Sequence, residues 1–257
     1  MPWTVALLPF IEQSALWAEY CPDVALDDNT AGTPANNQGK NRSLGQVSLK
    51  TQSCPSDAYA GKPTTPATYD PKMEFRISSY RGIGGRVGSW ANWWWETGGH
   101  ATLPNYRGIF HLVGRTNNGG TLDLTFESFA SVIDGTSNTA MISERHTPRD
   151  AETQITAWAS PLPHRYISTT AAYSPTFKAT DSHERCKTMF AAVAAGGMDA
   201  ATTGSWICLR SYGSYHPGGV NTCLADGSVF FVPETTNPSI WAAYATISNG
   251  EMVGTLR

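Results

Sequence analysis

His216-Pro217-Gly218-Gly219-Val220-Asn221-Thr222-Cys223-Leu224-Ala225-Asp226-Gly227-Ser228-Val229-Phe230-Phe231-Val232 carries the densest structural instruction in this chain of 257 residues. Val220 to Ala225 and Ser228 to Val232 are β-prone runs joined by Asp226-Gly227, two residues that tolerate positive φ. The spacing predicts a hairpin closed by a type I′ turn. With 225 opposite 228, Leu224 faces Val229, Cys223 faces Phe230 and Thr222 faces Phe231. His216 and Asp226 are the most reactive side chains of the stretch and the first candidates for catalysis or metal binding. Extended backbone rises about 3.3 Å per residue, so the intervening strand holds the two roughly 20 Å apart. Each therefore acts only with partners from elsewhere; within the hairpin, Asp226 reads as a turn residue and His216 as the cap of the Pro-Gly-Gly loop.

Only 15% of residues are charged, against 24 Gly and 16 Pro, a profile that fits loop-rich extracellular β structure. The length suits one elaborated domain, 1–257, which buries a core without staple or metal. A net charge of -3 and scattered Lys and Arg give no general attraction to phosphate backbones or anionic membranes, so nucleic acid is excluded as a partner. No apolar run reaches the roughly 18 residues of a membrane span. Cys21, Cys54, Cys186, Cys208 and Cys223 show no C-x-x-C spacing, which argues against a zinc knuckle or a thioredoxin-type site. Two disulfides and a free thiol are open to them in an oxidising compartment, with the pairing undetermined.

Along the chain, Pro9 at a first helical position and Ile11, Ala15 and Leu16 at helical spacing predict an N-terminal helix. Residues 23–45 read as a polar exposed loop. Cys54-Pro55-Ser56-Asp57 has turn chemistry, with proline at the second position. Arg81-Gly82-Ile83-Gly84-Gly85-Arg86 lacks the Lys-Ser/Thr of a phosphate loop, and its glycines are better explained by backbone bending. Trp90, Trp93, Trp94 and Trp95 form a core, a self-association surface, or a platform for sugar rings. Strands are expected over 105–113, 140–143 and 206–209, the second ending at Glu144-Arg145-His146. Phe126, Phe129, Ala130 and Ile133 sit at helical spacing before Asp134-Gly135, and Ile240, Trp241, Tyr244 and Ile247 predict a closing helix. The elements add up to an α+β, β-rich domain with loop-rich insertions.

Seven landmarks in order carry a resemblance. They are Ala6-Leu7-Leu8-Pro9-Phe10-Ile11-Glu12-Gln13, Cys54-Pro55-Ser56-Asp57, Ser79-Tyr80-Arg81-Gly82-Ile83-Gly84, and Gly108-Ile109-Phe110. Ile133-Asp134-Gly135-Thr136-Ser137-Asn138-Thr139 with Glu144, the His216 to Asp226-Gly227 stretch, and Trp241-Ala242-Ala243-Tyr244-Ala245-Thr246 complete the set. Together they resemble the prepilin-like family of planctomycete bacteria known as domain of unknown function 1559, with its C-terminal His-x9-Asp-Gly signature. The resemblance implies export through a type IV pilin or type II secretion route and a pilin- or pseudopilin-like β-rich head on an N-terminal hydrophobic helix. That helix normally precedes the leucine-proline motif; here only a remnant of the N-terminal helix is expected, and Met1 reads as the start of a trimmed soluble head, the alternative being a member that has lost its anchor.

The first functional expectation is an exported envelope or extracellular structural and interaction module without catalysis. Its partners would be other envelope or pilus-like proteins, a polysaccharide, or a second copy. The alternative is a secreted glycan-binding or glycan-active protein, with Trp90, Trp93, Trp94 and Trp95 stacking on sugars and Glu144, Asp134, Asp226 and His216 as acid/base or metal-binding candidates. A hydrolase assembled from loops is a third class, although no G-x-S-x-G elbow occurs. No cofactor is expected; calcium is the one ion considered, with Asp27-Asp28-Asn29 the nearest candidate in the absence of a D-x-D-x-D-G loop.

Overall fold

The computed structural model describes residues 1–22, 40–65, 74–87, 106–111, 113–115, 123–147, 155–160, 167–171, 177–178 and 211–250. The Trp90–Trp95 cluster, Asp27-Asp28-Asn29, Cys186, Cys208 and the strand expected over 206–209 lie outside the described residues. Cys21, Cys54 and Cys223 are free thiols. Among the described residues, no helix is long and apolar enough to cross a membrane.

The N-terminus is not one helix but three short turns: α1 (Trp3–Ala6), a 3-10 turn (Leu8–Ile11) and α2 (Ser14–Ala18). Pro9 lies in the first turn of the 3-10 segment, where its missing N–H costs nothing. Glu12 then adopts a left-handed conformation, φ 60°, and breaks the helical path. Val5 and Leu8 pack with Leu44, Leu49, Trp158 and Ala159 in one of the cores, with Ile11 and Leu16 against it. Leu44 belongs to α3 (Lys40–Gly45), inside a segment whose polarity predicts a loop. One buried leucine anchors this helix, and Asn41 pairs with the backbone of Cys21 at 2.8 and 2.7 Å.

Two-residue strands β1 (Pro63–Thr64) and β2 (Phe75–Arg76) pair with each other and precede β3 (Tyr80–Val87). β4 (Gly114–Arg115) and β5 (Asp123–Leu124) form another minimal ladder, followed by β6 (Ala140–Glu144) and β7 (Ile167–Ala171). β8 (Phe177–Lys178) pairs with β9 (Gly213–Ser214), and β10 (Gly219–Leu224) and β11 (Val229–Pro233) follow. The main sheet runs β11-β10-β6-β3-β7, with only β3 and β7 parallel. The arrangement is α+β and β-rich.

The Gly-rich run is therefore a strand, bent where the β3–β7 register shifts between Ile83 and Arg86. Gly85 has φ +129°, and a Cβ there would sit 2.3 Å from the Tyr106 carbonyl oxygen. Residues 106–111 run beside β3 as turns, joined to it by the Gly85–Arg107 bridge and by Phe110 N–H donating to Ile83 O at 3.1 Å, where the sequence pattern predicts a strand.

The C-terminal hairpin forms with a different turn. Gly227 N–H donates to Leu224 O at 3.0 Å, Gly227 has φ +84°, and Asp226 keeps negative φ. This is a three-residue loop, a type I turn closed by a left-handed glycine, not a type I′ turn. The register moves by one residue as a result: Cys223 faces Val229, Thr222 faces Phe230 and Asn221 faces Phe231. Asp226 Oδ1 accepts from Ser228 N and Oγ at 2.9 and 2.6 Å, so its carboxylate serves the turn.

Helix α4 (Pro238–Ala243), capped by Asn237 with Pro238 at its first turn, lays Trp241 onto the sheet. Ile83, Ala140, Tyr212, Val220, Leu224, Val232, Trp241 and Tyr244 make the core between them, with Trp241 edge-on to Tyr212 at 5.8 Å. The helix expected around Phe126, Phe129, Ala130 and Ile133 is only a 3-10 turn (Phe129–Ser131), and Phe126, Phe129 and Ile133 are exposed. Three apolar residues at helical spacing span too short a stretch to specify which side is covered.

Candidate metal centre

Three segments far apart in sequence bring four ligand-type side chains to one point beside the C-terminal hairpin. Cys54, Glu144, His146 and His216 each offer one atom, and these atoms all lie within 4.8 Å of one another.

Each is placed by its local sequence. Cys54-Pro55-Ser56-Asp57 forms the expected turn, with Asp57 N–H donating to Cys54 O at 3.0 Å. Ser79 Oγ accepts from Cys54 N and donates to Asp57, which ties this turn to the start of β3. Glu144 ends β6 opposite Tyr80, and His146 follows two residues later in extended chain. Side chains two apart in extended backbone point the same way, so both enter the cluster. His216 is held by its backbone: its N–H donates to Ser214 Oγ, which donates to Gly219 O at 2.6 Å.

His216 Nε2 lies 3.0 Å from Glu144 Oε1 and 3.6 Å from Cys54 Sγ, and His146 Nε2 lies 3.8 Å from the same carboxylate oxygen. A tetrahedral zinc ion, with metal–nitrogen bonds of about 2.0–2.1 Å and a metal–sulfur bond of about 2.3 Å, separates sulfur from nitrogen by about 3.6 Å and nitrogen from oxygen by about 3.3 Å. The sulfur–nitrogen distance of His216 matches, and its nitrogen–oxygen distance falls about 0.3 Å short of the ideal, whereas that of His146 is longer than it. Glu144 is buried, and its Oε2 accepts from Asn221 N–H at 2.7 Å, the second-layer hydrogen bond that orients a ligating carboxylate. His146 is fully buried, whereas the His216 side chain is 27% exposed and is the centre's solvent-facing wall.

Burial pushes the Cys54 thiol above its ordinary range; hydrogen bonds from Ser56 oppose this, and the charge of Glu144 adds to the rise. Burial likewise raises the Tyr80 phenol, which hydrogen-bonds Cys54 and feels the charges of Cys54 and Glu144. The metal-free centre thus favours a neutral thiol beside a buried carboxylate. A divalent cation reverses that preference and releases the thiol proton on binding. Thiolate and imidazole suit zinc rather than calcium, which takes oxygen ligands only.

Burial, then the neighbouring His216 and Arg145, lower the His146 imidazole to about 3. The folded protein binds fewer protons there than the unfolded chain, whose ordinary value is about 6.5, so stability falls as pH drops below that value. Glu144 and Tyr215 also face this ring. Acidification of the chelator-treated protein from pH 6.5 to 5 is expected to cost about 2 kcal/mol of unfolding free energy, read from urea midpoints. A His146→Gln variant should show a flatter dependence; an equal slope would remove His146 as the cause.

Of the sequence-derived candidates, Glu144 and His216 meet here, and Asp134 and Asp226 do not. Asp134 instead accepts from Asn249 N and Gly250 N at 2.9 and 3.0 Å and fastens the segment after α4. Cys54 and His146 were not among those candidates. The alternation Glu144-x-His146 at a strand end was the one local cue to His146; nothing local marks Cys54.

A family model described as a protein of unknown function, DUF1559, matches residues 1–239 and so spans all four side chains. The chain belongs to the DUF1559 family. No curated protein and no solved structure matches it. Three of the landmarks read from the sequence, the Cys54 turn, the strand ending at Glu144 and the His216 stretch, each place one side chain in the cluster. A second concave feature, an apolar groove of about 540 Å³ lined by Trp3, Phe10, Phe110, Val113 and Phe126, lies elsewhere. Its carboxylate, Glu127, is engaged by Arg107 and His111.

Proposed function

We propose that this DUF1559 chain is an exported, non-catalytic structural and interaction module whose head is fastened by a zinc-type centre at Cys54, Glu144 and His216. The observation that carries the metal reading is the convergence of a thiol, a carboxylate and imidazole nitrogen on one buried point from segments 54, 144 and 216. Export and a pilin-like envelope role rest on the sequence resemblance and on the Gly- and Pro-rich, charge-poor composition.

The geometry favours ligation over nucleophilic catalysis. In a cysteine hydrolase the base meets the thiol through one ring nitrogen and its orienting carboxylate through the other. Here Cys54 and Glu144 both meet Nε2 of His216, which suits atoms surrounding an ion.

The test is metal content. Protein dialysed against zinc and then against metal-free buffer should retain about one zinc per chain by mass spectrometry of the elements. Cys54→Ser and His216→Ala should each lose most of it. Substoichiometric zinc in the wild type, or full retention in both variants, would refute the reading.

A further inference from the structure

Tyr215 N–H donates to His146 Nδ1 at 3.0 Å. A backbone N–H can only donate, so Nδ1 presents its lone pair, and the proton of the neutral ring sits on Nε2. A nitrogen carrying a proton does not ligate a metal. His146 therefore enters the cluster as a donor, and its 3.8 Å distance from Glu144 Oε1 is longer than either a hydrogen bond or a tetrahedral nitrogen–oxygen separation. Among the described residues this buried Nε2 has no hydrogen-bond partner. A buried donor left in that state is costly, and an acceptor atom at the centre of the cluster relieves the cost.

Three ligands and one inward N–H are the arrangement of a metal site that keeps a position for an outside ligand. Resting on the metal reading above, we propose that the ion held by Cys54, Glu144 and His216 reserves its fourth coordination position for a small exogenous oxygen donor. Water fills it at rest and a carboxylate displaces the water, and His146 Nε2–H donates a hydrogen bond to the incoming oxygen. Access is from the His216 side, the exposed wall of the centre. Cys54 and Glu144 set the affinity for the ion; His146 sets the affinity for the ligand.

Cobalt(II) in place of zinc makes the two roles separately visible, and acetate serves as the probe. Acetate should shift the cobalt d–d bands of the wild type saturably. His146→Phe should keep one cobalt per chain and the thiolate-to-cobalt band, yet bind acetate about tenfold or more weakly. His146→Gln, which restores an N–H, should recover part of the loss and stands in if the phenylalanine variant does not fold. A wild-type cobalt spectrum indifferent to acetate overturns the open position. Loss of cobalt from both folded His146 variants makes His146 a fourth ligand and overturns it equally. A wild type that takes up neither cobalt nor zinc overturns the metal reading itself, which is a different result from either.

Discussion

Glu144→Gln should abolish the zinc-dependent part of this protein's stability while leaving the metal-free fold in place. The carboxylate sits at the middle of the cluster, with one oxygen toward both histidines and the other on the Asn221 amide. Glutamine preserves the shape, and its carbonyl oxygen can still accept from Asn221 N–H. What it lacks is the charge that a divalent ion requires. An ion present at 1,000 times its dissociation constant stabilises the native state by about 4.1 kcal/mol. For a domain of this size that corresponds to a rise of about 8–16 °C in melting temperature. Calorimetric scans with and without zinc should show this rise in the wild type and little or none in Glu144→Gln. An equal rise in both proteins would place zinc somewhere else.

The second large effect is expected at Arg81. Its guanidinium is buried and donates to Thr156 Oγ1 at 3.1 Å, Ser168 Oγ at 3.0 Å and Ile155 O at 3.2 Å. It joins β3 to β7 and to the segment 155–160. Thr156 Oγ1 in turn donates to Arg145 O at 2.8 Å, on the residue between Glu144 and His146. Arg81→Ala removes the donors, strands buried acceptors and opens a cavity, and should cost about 3–5 kcal/mol. Arg81→Lys should recover little, because an ammonium cannot reach three acceptors set around a planar fork. Urea unfolding should show a lower midpoint at unchanged slope. A change below about 1 kcal/mol in the alanine variant would contradict this account.

The fold was more legible than the site, for reasons visible in particular residues. The C-terminal hairpin, the strand ending at Glu144, the Cys54 turn and the helix carrying Trp241 all follow from short-range spacing, and the structure has each of them. The turn type did not follow, because Asp-Gly serves both a two-residue I′ loop and a type I turn with a left-handed glycine; the hydrogen bond of Gly227 to Leu224 decides it. The helical spacing of Phe126, Phe129 and Ile133 misled because burial is a tertiary property, and those side chains face outward. The four-residue cluster was illegible for another reason. His216 lies in the turn before β10, away from Asp226 at the strand's far end, and Cys54 stands 162 residues away from it. No periodicity encodes that contact.

That separation also orders events in time. Ribosomes add about 5–20 residues per second, so the Cys54 thiol emerges roughly 10–30 s before the histidine that completes its site. Glu144 emerges partway through that interval and His216 only at its end, so the thiol spends the first part of it with neither neighbour. An ion held by Cys54, Glu144 and His216 would therefore be a last-installed part, acquired after the chain is nearly whole. A cell that keeps young thiols reduced and admits the ion only at the end would obtain this protein intact.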